Sequence, residues 1–246
     1  MRNSNVIGLS VFCLVLAGCG VRHEEVVVES PEPVQASSNP VSQSPAADRA
    51  TQAVAADSPA ATPAPRPTAI PLVAEKLKVK SGSGETAFSI KPKDDGAKLV
   101  DAGEVELARF NAAAGKVKVK DADDVVLGYI VKSGERFKVE DPSQEVELFK
   151  LIPQADGDWK LEDARETLIY KIKLREYGFE IEDDAEHSLY KIKVKGDKTS
   201  LRDAADQTVY YTDEPVKPLA FACLGLDVIQ DTRLRTALLA AVNGLQ

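Results

Sequence analysis

From residue 77 onward, apolar and polar positions alternate in short runs. Tyr170, Ile172 and Leu174 fall on one side of such a run, and Lys171, Lys173 and Arg175 on the other. A period of two is the signature of a half-buried β-strand. The runs are broken by polar turns that share a leading Asp. "LEDARETLIYKIK" (161–173) is followed twenty residues later by "IEDDAEHSLYKIK" (181–193). Aligning on that Asp brings out Asp101, Asp121, Asp141, Asp163, Asp183 and Asp203, spaced by 20, 20, 22, 20 and 20 residues. An aliphatic stands two residues before each one: Leu99, Val119, Val139, Leu161, Ile181 and Leu201. In the last three units a tyrosine follows seven residues after the Asp (Tyr170, Tyr190, Tyr210). Counting back one more period reaches Ser81, with Leu77, Val79 and Phe88 around it, a degenerate further unit whose status the pattern leaves open.

Each unit reads as two strands joined by an Asp-led turn, because an Asp carboxylate accepts hydrogen bonds from backbone amides just ahead of it. Six hairpins in sequence predict a mainly β fold of about twelve antiparallel strands, and closing that meander into a barrel removes both exposed edges. The competing architecture is a β-solenoid of twenty-residue coils, which the hairpin-type turns disfavour. On the outward face, Lys171, Lys173, Lys191, Lys193 and Lys195 form rows that suggest contact with an anionic ligand. The plainer account pairs them with Glu180 and Glu182 on adjacent strands.

The periodicity changes after Pro218. Leu219, Phe221, Ala222, Cys223, Leu224, Leu226, Val228 and Ile229 are apolar around most of a helix. Such a helix is buried in protein or in lipid. Asp227, Asp231, Arg233 and Arg235 interrupt it before it reaches the length of a membrane span. The expectation is a C-terminal helical segment, 216–246, threading the barrel, with Asp231 or Thr232 capping a last stretch that ends near Asn243-Gly244. Hairpins of the type "FEIEDDAEHSLYKIK" around an apolar C-terminal helix resemble the tubby C-terminal-like superfamily, in the style of its LURP-one-related and phospholipid-scramblase members. The resemblance covers about residues 77–246 and implies a closed barrel on a central helix, with anionic-lipid contact as one expectation. Neither the basic phosphoinositide-binding residues of tubby proteins nor a scramblase calcium motif maps onto positions here.

The N-terminal third is of another kind. "VIGLSVFCLVL" is an apolar stretch of signal-peptide length, and "LAGC" (Leu16–Cys19) resembles the lipobox of bacterial lipoproteins. That resemblance implies cleavage after residue 18, acylation of Cys19 and a place in the cell envelope; Gly20 after the Cys favours the outer membrane over the inner. Several acyl chains together give stable anchoring. Residues 29–72 are rich in Pro, Ala and Ser and nearly free of large apolar side chains, the composition of an extended tether. The predicted organisation is thus a signal (1–18), a lipidated Cys19 with its tether (19–72) and a barrel domain (73–246).

Charge and chemistry narrow the function. The net charge is −8, of which residues 1–74, with four Arg and six acids, carry −2. This balance excludes a generic nucleic-acid binder, whose footprint is basic. Of the three cysteines only Cys223 would remain as a thiol in the mature chain. Neither histidine has a companion at metal-ligand spacing, and no nucleophile elbow, phosphate loop or H-E-x-x-H is present. No catalytic residue, metal or cofactor is therefore assigned. The expectation is a non-enzymatic binding or scaffolding module whose partner is an envelope protein, a glycan or an anionic lipid.

Overall fold

The structure is a computed structural model that describes residues 72–245. The signal segment, Cys19 and the tether up to residue 71 lie outside the described residues. The barrel begins with β1 (Leu77–Ser81), β2 (Thr86–Lys93), β3 (Gly96–Asp101), β4 (Glu106–Ala113) and β5 (Lys116–Asp121). It continues through β6 (Val126–Ser133), β7 (Arg136–Glu140), β8 (Glu147–Pro153), β9 (Trp159–Asp163) and β10 (Leu168–Arg175). β11 (Gly178–Glu182), β12 (Ser188–Lys195), β13 (Lys198–Asp203) and β14 (Thr208–Thr212) complete it. Every strand pairs antiparallel with its sequence neighbours, and β1 pairs with β14 to close the ring. The β-solenoid alternative is overturned by this topology.

The expected count of about twelve strands is corrected to fourteen. The segment 77–90 is a full hairpin, β1–β2, in register at Leu77↔Ile90 and Val79↔Phe88. It escapes the Asp pattern because Ser81 takes the Asp position, its hydroxyl donating to the Glu85 carbonyl at 3.3 Å.

Inward positions carry the apolar residues of the repeat. Ile90, Phe110, Ile130, Leu151, Leu161, Ile172, Ile181, Ile192 and Leu201 are buried, and cross-strand pairs such as Ile172↔Ile181 and Ile192↔Leu201 stack along the wall. A fourteen-strand ring encloses more space than its own side chains fill. The C-terminal segment fills it, but not as one helix. α1 (Pro218–Ala222) runs into a 3-10 turn (Cys223–Gly225), the chain reverses over 226–231, and α2 (Thr232–Gly244) returns. α1 packs on β11–β13, and α2 on β3–β7 across the lumen. The expected C-terminal helical segment 216–246 is thus a helical hairpin: its last stretch begins at the expected cap, Asp231, and ends at Asn243-Gly244, but it doubles back on α1. Pro218 starts α1, where its missing N–H costs nothing. Asp231 caps α2, its side chain accepting from the Arg233 amide at 2.8 Å.

The barrel has two unlike ends. One carries the seven longer turns that begin at Ser81 and at the six repeat Asp residues. At the other, two-residue turns such as Ala114-Gly115 and Gly196-Asp197 join the strands, except that Gln154–Asp158 joins β8 to β9. Leu72 joins the barrel at the short-turn end, its amide donating to the Gly96 carbonyl. α2 finishes there too, with Gly244 against the Leu72 backbone. The outward rows carry Lys, Arg and Glu, the reverse of a membrane-spanning barrel, whose outer band is apolar.

Candidate functional site

The seven long turns share one backbone design. The residue three after the leading position has positive φ in each: Gly84 (91°), Glu104 (68°), Asp124 (65°), Gln144 (64°), Glu166 (62°), Glu186 (66°) and Asp206 (60°). This is a turn followed by a left-handed residue, the usual three-residue hairpin loop, lengthened by one residue at 141–146. The leading Asp holds it closed. Asp163 Oδ1 accepts from the amides of Arg165 and Thr167, both at 2.8 Å. Asp121 does the same for Asp123 and Val125, both at 2.9 Å. Asp101, Asp141, Asp183 and Asp203 each accept from the amide that closes their turn. Backbone amides favour the charged carboxylate. The Thr167 amide thus holds Asp163 below the usual carboxylate range, as the His187 amide does for Asp183.

The left-handed position has a second use. An L-residue there is strained relative to glycine, yet after Gly84 the position is always Glu, Asp or Gln. Each of these side chains folds back over the outer face and meets a cation from a strand. Glu104 meets Lys76 (3.1 Å) and Lys91; Asp124 meets Arg109 (2.8 Å); Glu166 meets Lys150 (3.1 Å). Glu186 meets Lys171 and Asp206 meets Lys193, both at 2.7 Å. Gln144 receives Lys116. Arg109 lowers the Asp124 pKa, and Lys171 lowers that of Glu186.

This arrangement decides how the lysine rows read. Lys171 and Lys193 are engaged by turn carboxylates, and Lys173 by Glu182 at 2.7 Å, which raises the Lys173 pKa. Lys191 lies across from Glu180 and Arg202, and Lys195 across from Lys198, with neither in an ion pair among the described residues. The five lysines share the outer face, but the structure does not converge them on one point. The sequence reading missed the left-handed acids. Their signal was present, since an acid or amide recurs three residues after each repeat Asp.

The turn end itself is the most distinctive surface. Its turns read SGSGE, DAGEV, DADDV, DPSQEV, DARET, DDAEH and DAADQ, fifteen carboxylates against one guanidinium, Arg165. Three consecutive turns close on an exposed valine: Val105 (61%), Val125 (58%) and Val146 (49%), with Leu107 beside them (37%). In the other turns Glu85, Thr167, His187 and Gln207 hold this position. Three of the seven turns therefore set apolar studs among carboxylates. Above the lumen, the reversal loop is pinned by Tyr190, whose hydroxyl donates to Asp227 at 2.9 Å. Burial and that carboxylate push the Tyr190 pKa up to about 12. The Arg235 guanidinium donates to the Leu224 carbonyl at 3.1 Å, joining the two arms of the helical hairpin.

Two further positions have structural roles. Cys223 is buried in the lumen, and burial pushes its thiol pKa up, the opposite of a nucleophile. Trp159 lies at the short-turn end beside Phe137, Leu219, Val242 and Leu245, lining a depression of about 420 Å³. Among the described residues no three His, Cys, Asp or Glu side chains converge as metal ligands. No protein-family model matches the chain, and no curated protein is significantly similar to it.

Proposed function

We propose that the chain is a lipid-anchored cell-envelope protein whose barrel is a non-enzymatic binding or scaffolding module. In this reading acyl chains on Cys19 hold it in a membrane, the outer more than the inner, and residues 19–72 are the tether. The working face is the turn end, and its occupant is a polypeptide carrying both basic and apolar side chains. The observation that carries the reading is the pairing of fifteen turn carboxylates with the exposed Val105, Val125 and Val146 on one rim. Complementary charge steers such a partner and fixes its register, while the apolar studs are the part that gains from desolvation. Leu72, where the described residues begin, lies at the opposite end of the barrel from the rim.

Two measurements test the two halves. Metabolic labelling with palmitate in a bacterial host should mark the wild type and not Cys19→Ser; equal labelling sinks the anchor. A photo-crosslinker at Val125 should capture one defined partner in intact cells, and Val105→Ser with Val146→Ser should abolish the capture. Capture that survives the double variant removes the rim from consideration.

A second reading, contact with anionic lipid, is supported by one observation. Lys91, Lys98, Arg109 and Lys120 stand directly opposite one another across β2–β5, although each is also paired with Glu104, Glu106 or Asp124. The resemblance to tubby-like and scramblase proteins points the same way. Flotation of residues 72–246 with anionic but not neutral liposomes, reversed by salt, is its expected result. Absence of flotation at low salt rules it out.

A further inference from the structure

The turn carboxylates neutralise outward cations in five of the seven units; the first has Gly84 in their place, and one other breaks the rule with a polar side chain. Where five units place Glu or Asp in the left-handed position, the 141–146 turn places Gln144. Lys116 meets that amide oxygen instead of a carboxylate, and Lys118 forms no ion pair among the described residues. Both ammonium groups lie over one ring, 5.2 and 5.6 Å from the Tyr129 centroid. Tyr129 points outward yet is only 5% exposed, so the ring forms a fixed floor that holds the two cations by their attraction to its face. Lys116 and Lys118 alternate along β5 and so project on the same side. Asn111 and the small Ala113 on β4 leave a groove of about 410 Å³ beside them. Lys120, the third lysine of the groove, is already engaged by Asp124 at 3.4 Å. The nearby acids are occupied or apart: Asp95 accepts from the Asn111 amide at 2.5 Å, and Glu140, opposite Tyr129, pairs with neither lysine.

We propose that this groove on the outer face of β4–β6 binds an oxyanion between Lys116 and Lys118, in the place where the other units supply their own carboxylate. The ligand class is a phosphate or carboxylate group, free or borne on a larger molecule. Gln144 admits it by donating an amide hydrogen where a Glu would repel it. The site lies on the barrel wall, meets the rim only through Gln144 and does not rest on the rim's role.

The test is a backbone-amide NMR titration of the purified full chain with inorganic phosphate at constant ionic strength, chloride serving as the control anion. Saturable shifts confined to residues 111–131 and 144 are expected. Gln144→Glu, which restores the carboxylate of the other units, should weaken binding by at least about tenfold with no loss of thermal stability. Lys118→Gln should weaken it comparably, and Lys171→Gln should leave it unchanged. Titration with glycerol 1-phosphate, a lipid headgroup without its chains, separates the sources: tighter binding than phosphate indicates a headgroup, equal binding a free oxyanion. No saturable shift with either probe, or shifts that Gln144→Glu leaves intact, overturns the proposal.

Discussion

Leu239 tests whether the helical hairpin is the core of the barrel or an accessory to it. It lies in α2 and is fully buried. Leu239→Ala deletes three carbons, a transfer loss of about 2.4 kcal/mol at about 0.8 kcal/mol per buried methylene. A cavity penalty adds to this, and its size depends on how far the surroundings collapse. Here the surroundings are a closed ring, in which every strand is bonded on both sides and cannot move inward alone. The cost therefore belongs in the upper half of the range for Leu→Ala, about 4 kcal/mol. For a domain of this size that lowers the melting midpoint by about 8–16 °C. The control is Leu174→Ala, a leucine half exposed on β10, which should cost less than about 1 kcal/mol. Urea unfolding followed by the single tryptophan, Trp159, reads both variants. If Leu239→Ala costs no more than Leu174→Ala, α2 does not fill the lumen, and the account of the core fails.

Gly225→Ala probes the same packing from the other side. A β-carbon there would sit 2.9 Å from Ile181 Cδ1 and close to Tyr190 and Leu201, so a loss of about 1–3 kcal/mol is expected in the same assay. Acid should act through the turns. Asp124, Asp141, Asp163, Asp183, Glu186 and Asp206 all have folded pKa values below their ordinary ones. Their contribution is complete above the unfolded carboxylate values of about 4 and is lost as pH falls through the lower folded values. The midpoint should hold steady from pH 7 to 5 and drop below about 4; a flat profile down to pH 3 contradicts the turn chemistry. Tyr190 has the opposite sign. Its raised pKa favours the folded phenol below pH 10, an advantage lost as pH rises through about 12. Absorbance at 295 nm should show a late-titrating phenol that Tyr190→Phe removes.

Much of the architecture was legible because the repeat writes it many times. The Asp at twenty-residue spacing marks a turn by a local mechanism, and the alternation between turns assigns each side chain to a wall. Ser81 hid the first hairpin because its turn closes without the carboxylate, the hydroxyl donating to the Glu85 carbonyl, and because Gly84 and not an acid holds the left-handed place. The C-terminal run from Leu219 to Ile229 is interrupted at Asp227, and Asp231 marks a new start, yet neither shows that the chain doubles back after Gly225. That break answers to the lumen, where Ile181, Tyr190 and Leu201 leave no room for a β-carbon. The lysine rows were correctly read as outward. Their neutralisation was read in part: Lys173 does pair with Glu182 on the strand alongside, but the partners of Lys171 and Lys193 arrive from neighbouring turns. The meaning of Gln144 becomes visible only once the other five positions are seen to pair.

The join between β1 and β14 has a consequence for how the chain reaches this state. Ser81 pairs with Tyr210, whereas every other strand pairing joins sequence neighbours. Hairpins of low sequence separation can form early and in any order, but the ring cannot shut until β14 is in place. The apolar hairpin 218–244 follows β14, so it must be enclosed as the ring closes. Before that moment the sheet has two raw edges and an uncovered apolar concave face, the surfaces through which chains aggregate. Kinetics should therefore show a late, cooperative closing step whose rate responds to changes in the β1–β14 seam and in the last thirty residues. Truncation after Thr212 would leave a sheet with nothing to close upon.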